Sequence, residues 1–168
     1  MSRSVMVLRH GKSDRATGGR PDIVRPLTER GSRSAAAVGR WLTLVDEAPD
    51  LVLCSPATRA RETADRAAEA GSWSCPLEVC DDLYLSGLGR VIELLRRQPD
   101  PVQSVMLVGH EPTSSDLIAE LVGGGRHHMA TAGLARVELD LAHWHEVGAG
   151  RGRLEWLLPS RLLLAASI

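Results

Sequence analysis

The residues best suited to chemistry in this 168-residue chain fall in three short segments, each directly after an apolar run. Arg9-His10-Gly11-Lys12 follows Ser4 to Leu8. Ser55 through Arg61 follows Leu51 to Cys54. Gly109-His110-Glu111-Pro112 follows Ser104 to Val108. A neutral imidazole is both a nucleophile and a proton carrier near pH 7, and a guanidinium grips anionic oxygens through a planar fork. Histidines and arginines gathered at strand ends therefore point to work on an anionic group. Each segment taken alone has a plainer reading. A single His after a strand is as readily a solvated loop residue, and Arg61 and Arg66 fit the solvated face of a helix. Arg59 is less easily dismissed. It falls in the first turn of a predicted helix, where its own charge opposes the helix dipole, and where an anion would be welcome.

Those segments need a scaffold that brings them together. Apolar runs alternate with amphipathic stretches along the chain. Ser4 to Leu8, Leu51 to Cys54, Leu77 to Cys80 and Ser104 to Val108 read as strands. Thr28 to Val45 places Ala35, Val38, Trp41, Leu42 and Val45 at helical spacing, with Thr28 as N-cap. Thr58 to Ala70 is an Ala-rich helix stopped at Gly71, Leu88 to Arg97 is a third helix, and Ser114 to Val122 a fourth that ends at Gly123-Gly124-Gly125. Leu134 to Leu139 and Leu154 to Leu158 read as later strands near a sheet edge. Strand–helix alternation of this kind implies an α/β fold with a mostly parallel central sheet. Such sheets bind ligands in the crevice at the carboxyl ends of their strands, which is where the three segments lie.

Composition narrows the function further. With 43% hydrophobic and 24% charged residues the chain reads as an ordinary globular protein, taken here as one domain over 1–168. A formal net charge of −1 gives no reason to expect nucleic acid or anionic lipid as a partner. No segment approaches the ~20 apolar residues of a membrane span. Cys54, Cys75 and Cys80 are odd in number and lack a CxxC pair, so they read as reduced thiols of a cytoplasmic protein. The sequence leaves the oligomeric state open.

Together, Arg9-His10-Gly11 after the first strand, Arg59-Ala60-x-x-Thr63-Ala64 opening the second helix, and Gly109-His110 after a late strand resemble the histidine phosphatase (phosphoglycerate mutase-like) superfamily. Pro26-Leu27-Thr28-Glu29-Arg30-Gly31 fits the same pattern, and the likeness runs from about Val5 to about Gly125. The short chain and the Val24-Arg25-Pro26-Leu27-Thr28 run are most similar to the SixA-type phosphohistidine phosphatases. The resemblance implies a three-layer α/β/α, phosphoglycerate mutase-like fold. It implies His10 as nucleophile, Arg9, Arg59 and His110 as further catalytic groups around the phosphoryl oxygens, and Arg25 as a substrate-binding arginine. No metal and no cofactor are expected, since the arginines supply the positive charge. The partner would be a phosphorylated protein or a small phosphorylated metabolite.

Several alternatives stand beside this reading. Superfamily members that cleave esters place a carboxylic acid at the leaving oxygen, and Asp82 is the candidate for it; a solvated residue or helix cap describes Asp82 equally well. The chain is short for the insertion that mutases fold over a sugar. A non-catalytic phosphoryl-binding module and a metal hydrolase using His10, His110 and Asp116 are the rivals from other classes. His143 and His145 alternate around Trp144, as two groups on one side of a strand would, but further metal ligands are not apparent. His127 and His128 follow a glycine run that could form a pocket rim, though a plain surface loop is the readier reading.

Overall fold

The computed structural model describes residues 3–15 and 19–166. In chain order the elements are β1 (Arg3–Arg9), α1 (Glu29–Leu44), β2 (Leu51–Cys54), α2 (Thr58–Gly71), β3 (Leu77–Val79), α3 (Leu88–Arg96), β4 (Ser104–Gly109), α4 (Thr113–Val122), β5 (Leu134–Leu139), β6 (Gly152–Leu158) and α5 (Ser160–Ala165). One six-stranded sheet has the order β3-β2-β4-β1-β5-β6. β1, β2, β3 and β4 pair in parallel, and β5 runs antiparallel to both β1 and β6. The mostly parallel sheet expected from the alternating elements is present.

Handedness explains the layers. The crossovers β1-α1-β2 and β2-α2-β3 move toward one edge of the sheet, and β3-α3-β4 moves back. Right-handed crossovers taken in opposite directions must lay their helices on opposite faces. Accordingly Val38 and Leu42 of α1, Ala60 and Ala64 of α2 and Leu163 of α5 pack on Met6, Leu8, Val52 and Met106. On the other face, Val91 and Leu95 of α3 and Leu117 and Leu121 of α4 pack on Val5, Val7, Leu53 and Leu107. Strands covered on both faces read as continuous apolar runs, and Met6, Val7 and Leu8 are all buried.

Thr28 caps α1 as its sequence suggests, its Oγ1 accepting from Gly31 N–H at 3.1 Å. The same residue holds the loop after β1, because Thr28 N–H donates to Lys12 O at 2.8 Å. A Cβ at Gly31 would lie 2.2 Å from that Lys12 oxygen. Glycine there lets the start of α1 touch the loop that carries His10. At the other end of the sheet two expectations need amending. β6 begins at Gly152, two residues before the expected Leu154. The six-residue α5 was not anticipated, since it lacks a side-chain cap and is too short for a clear period. His143 and His145 sit around a 3₁₀ turn, Trp144–Glu146, rather than along a strand. Their rings stack 5.3 Å apart, and His143 Nδ1 lies 2.8 Å from Asp100 Oδ2. Among the described residues no three His, Cys, Asp or Glu side chains group as metal ligands, and no helix is long and apolar enough to cross a membrane.

Candidate active site

The strand order decides which segments meet. β4 lies between β2 and β1, so the three chemically loaded ends emerge side by side. His10 N–H donates to Gly109 O at 3.0 Å and Ser55 N–H to Val108 O at 3.0 Å, which knits the three ends at the backbone level. The His10 and His110 rings are 5.1 Å apart between centroids.

His10 Nδ1 lies 2.7 Å from the carbonyl oxygen of Gly11. A carbonyl only accepts, so Nδ1 carries the proton and Nε2 carries the lone pair. The loop is held in turn by Thr63, which is fully buried. Its hydroxyl accepts from Gly11 N–H at 2.9 Å and donates to Arg59 O at 2.6 Å. That double duty explains why a threonine stands four residues after Arg59; an apolar residue would leave the Gly11 amide unpaired, at a cost of about 1–3 kcal/mol.

His110 is oriented by Ser55, whose Oγ lies 2.7 Å from Nε2. The Ser55 hydroxyl also accepts from Ala57 N–H at 3.3 Å. The Nδ1 edge of His110 faces Arg59, with Nη2 at 3.3 Å. Arg59 itself is only 7% exposed. Its Nε is 3.3 Å from His10 Nε2, so one edge of this guanidinium spans both histidines. Arg9 reaches Met129 O through Nη1 at 2.7 Å. Glu111 steadies that acceptor from behind, since its carboxylate takes Met129 N–H at 3.2 Å and the Ser115 hydroxyl at 2.7 Å.

Both histidines are held neutral. Burial, then the positive charges of Arg59, Arg9 and Arg25, lowers His10 to about 4 against the partial opposition of the Gly11 carbonyl. Burial, the neighbouring His10 and Arg59 lower His110 to about 4 as well. An imidazole that is neutral at pH 7 keeps its Nε2 lone pair for bond formation. Cys54, just ahead of Ser55, offers no rival nucleophile: burial pushes its thiol up to about 12. The shift of His10 is measurable. In the substrate-free protein its ring carbon resonances should titrate near pH 4. Because the folded value lies below the unfolded one, the protonation stress on the fold grows as pH falls below about 6.5. A His10 midpoint at 6 or above would mean that the ring is solvated and not the one described.

The other two sequence candidates make no hydrogen bond to the histidine pair. Arg25 directs Nε to Asp14 O at 2.6 Å, Nη2 to Ser13 Oγ at 3.0 Å and Nη1 to Asp22 Oδ1 at 2.7 Å. Asp82, in the 3₁₀ turn Asp81–Leu83, pairs with Arg97 at 3.1 Å. The carboxylate that does reach the pocket is Asp22, which the sequence reading missed. Its Oδ2 accepts from Arg59 Nη2 at 2.9 Å and from Tyr84 OH at 3.2 Å. Burial opposes its ionisation, and hydrogen bonds from Arg25 and Arg59 more than offset this, leaving Asp22 below the ordinary carboxylate range. The one trace of it in the sequence is an i,i+3 spacing with Arg25, a spacing shared by surface pairs such as Glu93 with Arg96.

A neutral histidine with Nδ1 fixed and Nε2 unprotonated, beside a buried guanidinium and a second histidine, is suited to phosphoryl chemistry. Comparison with known proteins agrees. The family model of the histidine phosphatase superfamily (branch 1) matches residues 5–90. An uncharacterized protein of Mycobacterium tuberculosis, Rv1276c, is 38% identical over 153 residues, covering 85% of this chain and 93% of its own. The phosphohistidine phosphatase SixA homolog of Haemophilus influenzae is 32% identical over 129 residues, covering 71% of this chain and 77% of its own. Among solved structures, the protein histidine phosphatase SixA complexed with tungstate superposes with a TM-score of 0.82 at 28% identity, over 95% of this chain and 99% of that one. The chain therefore belongs to the histidine phosphatase superfamily, and SixA-type phosphatases are among its relatives and structural neighbours.

Proposed function

We propose that this phosphatase removes phosphoryl groups from phosphohistidine on a partner protein, with His10 as nucleophile and without a metal. With the far ring nitrogen of the substrate's imidazole already protonated, His10 Nε2 attacks phosphorus as the bond to the near ring nitrogen breaks, and neutral imidazole departs without a further proton transfer. Arg9, Arg59 and His110 bind the equatorial oxygens, where charge concentrates in the transition state. The positive charge that develops on phosphorylated His10 is met by the Gly11 carbonyl at Nδ1. Water then attacks phosphorus, the bond to Nε2 breaks, and inorganic phosphate leaves.

The observation that carries the substrate class is the state of the carboxylates. Among the described residues only Asp22 hydrogen-bonds within the histidine–arginine cluster, and two guanidiniums hold it as an anion. Asp82 is turned to Arg97. An ester's alkoxide needs a positioned proton donor, whereas imidazole leaves readily because its conjugate acid has a pKa of ~6.5. The relative from H. influenzae and the tungstate-bound neighbour bear names that suit the same substrate. With reduced thiols at Cys54, Cys75 and Cys80, the cytosol is the setting this reading assumes.

The test is a panel of a phosphohistidine peptide, phosphoserine and phosphotyrosine peptides, and common sugar phosphates, each with and without EDTA. Phosphohistidine should be preferred and EDTA should change nothing. Asp82→Asn should alter the phosphohistidine rate by less than about tenfold. A preference for esters, together with a loss of about 10² on Asp82→Asn, would replace this reading with a metabolite phosphatase. Binding of phosphoryl compounds without turnover of any would make the protein a recognition module.

A further inference from the structure

The guanidinium of Arg59 is gripped along two edges that do different things. Its Nε and Nη2 face the histidines, at 3.3 Å from His10 Nε2 and 3.3 Å from His110 Nδ1. Its Nη1 and Nη2 face away, to the carbonyl oxygen of Asp22 at 2.8 Å and to Asp22 Oδ2 at 2.9 Å. A guanidinium is planar and its five N–H directions are fixed relative to one another. Seizing one edge therefore sets where the other edge points. A single residue, Asp22, supplies both acceptors of the outer edge, one from its main chain and one from its side chain.

The same carboxylate ties in three further parts of the structure. Its second oxygen, Oδ1, takes Arg25 Nη1 at 2.7 Å. Tyr84 donates to Oδ2 at 3.2 Å, and the Tyr84 ring meets the His110 ring edge-on at 5.6 Å. Arg25 is anchored in turn to Asp14 O and Ser13 Oγ, in the loop that leaves His10. Asp22 is thus the point where the His10 loop, α2 and the Tyr84 turn are joined, on the side of Arg59 away from the reacting nitrogen. Nothing in this arrangement has Asp22 touching His10.

We infer that Asp22 is a positioning residue: it holds the Arg59 guanidinium in the pose that presents Nε and Nη2 to the transferring phosphoryl group, and Arg25 acts on the reaction through it. This explains why Arg25 commits its three nitrogens to the loop and to Asp22 instead of to the histidine pair. It also sets kcat apart from ground-state binding. Asp22 lends negative charge next to the anion site, so its removal should not weaken the binding of an anion and should favour it. It should slow the chemical step, because a loosened Arg59 no longer meets the oxygens where charge develops in the transition state, and misplacement by about 1 Å costs up to about 10²-fold.

The experiment compares wild type, Asp22→Asn, Arg59→Ala and the double variant. The kinetic arm rests on the phosphatase reading and uses whichever panel substrate the wild type turns over. Asp22→Asn should lower kcat about 10–100-fold, while the inhibition constant of inorganic phosphate stays the same or falls. In the Arg59→Ala background the same change should cost less than about threefold, because the residue it acts through is gone. A second arm needs no turnover. The Arg59 Nε–H resonance, identified by its loss in Arg59→Ala, should be sharp in wild type and broadened or exchanged out in Asp22→Asn. Tm should move by less than about 4 °C, since the pairs lost are partly exposed. An unchanged kcat with an unchanged Arg59 resonance would overturn the inference. So would full additivity of the two substitutions, or a parallel loss of phosphate binding and Tm, which would mark Asp22 as a residue of folding alone. If no substrate is turned over but the resonance and phosphate binding behave as stated, the positioning role stands and the phosphatase reading falls.

Discussion

His10→Ala should bind inorganic phosphate with nearly the wild-type affinity and turn over no substrate measurably, a loss of about 10⁴-fold or more. The two halves of this result have separate causes. On the proposed mechanism turnover passes through a bond from phosphorus to Nε2, and no neighbour can replace it. His110 presents Nδ1 to Arg59 with Nε2 engaged by Ser55, and the Cys54 thiol is buried and protonated. Binding on this proposal depends instead on Arg9, Arg59 and His110, all of which remain. Because His10 lies just past the C-terminal end of β1 and is not part of either apolar cluster, the fold should persist, and circular dichroism with a phosphate titration checks this. Brief mixing of wild-type protein with labelled substrate should also trap a phosphorylated protein that is stable to base and labile to acid, as a nitrogen-linked phosphoryl group is. Absence of that species, with retained turnover in His10→Ala, would place the nucleophile elsewhere.

Arg59→Ala should reduce kcat/KM by about two to three powers of ten, the usual loss for one donor that stabilises transition-state charge, and Arg61→Ala should do little. The contrast is between neighbours two residues apart on one helix. Arg59 is buried, lies between both histidines and is clamped by Asp22; Arg61 is exposed. Arg59→Lys should recover only a small part of the loss. An ammonium keeps the charge but cannot hold Asp22 with one edge and face the phosphoryl group with the other. The three variants assayed in parallel on one substrate give the answer. Equal losses at Arg59 and Arg61 would mean a diffuse positive field, in place of the directed fork seen here.

The sequence by itself determined the pieces. Apolar runs at Ser4 to Leu8, Leu51 to Cys54 and Ser104 to Val108 read as strands and Thr28 as a helix cap, because these are outcomes of local geometry and solvation. The chemical segments were legible for the same reason: His10, Arg59 and His110 each sit two to five residues beyond such a run. The likeness to a known family then gave them roles that no single segment supports. What the tertiary structure alone decided was who meets whom. Nothing local states that β4 inserts between β1 and β2, yet that order is what sets His10 beside His110. Asp22 and Arg59 are 37 residues apart, Gly11 and Thr63 are 52 apart, and Ser55 and His110 are 55 apart. Such hydrogen bonds follow from chain crossings, and a hydrogen-bonding side chain looks the same in sequence whether it faces a buried guanidinium or water. Asp82 and Asp22 illustrate this. Both are acids in a polar turn, and the fold gives Asp82 to Arg97 on the outside while it brings Asp22 against Arg59. Long-range packing, through the handedness of three crossovers, made that choice.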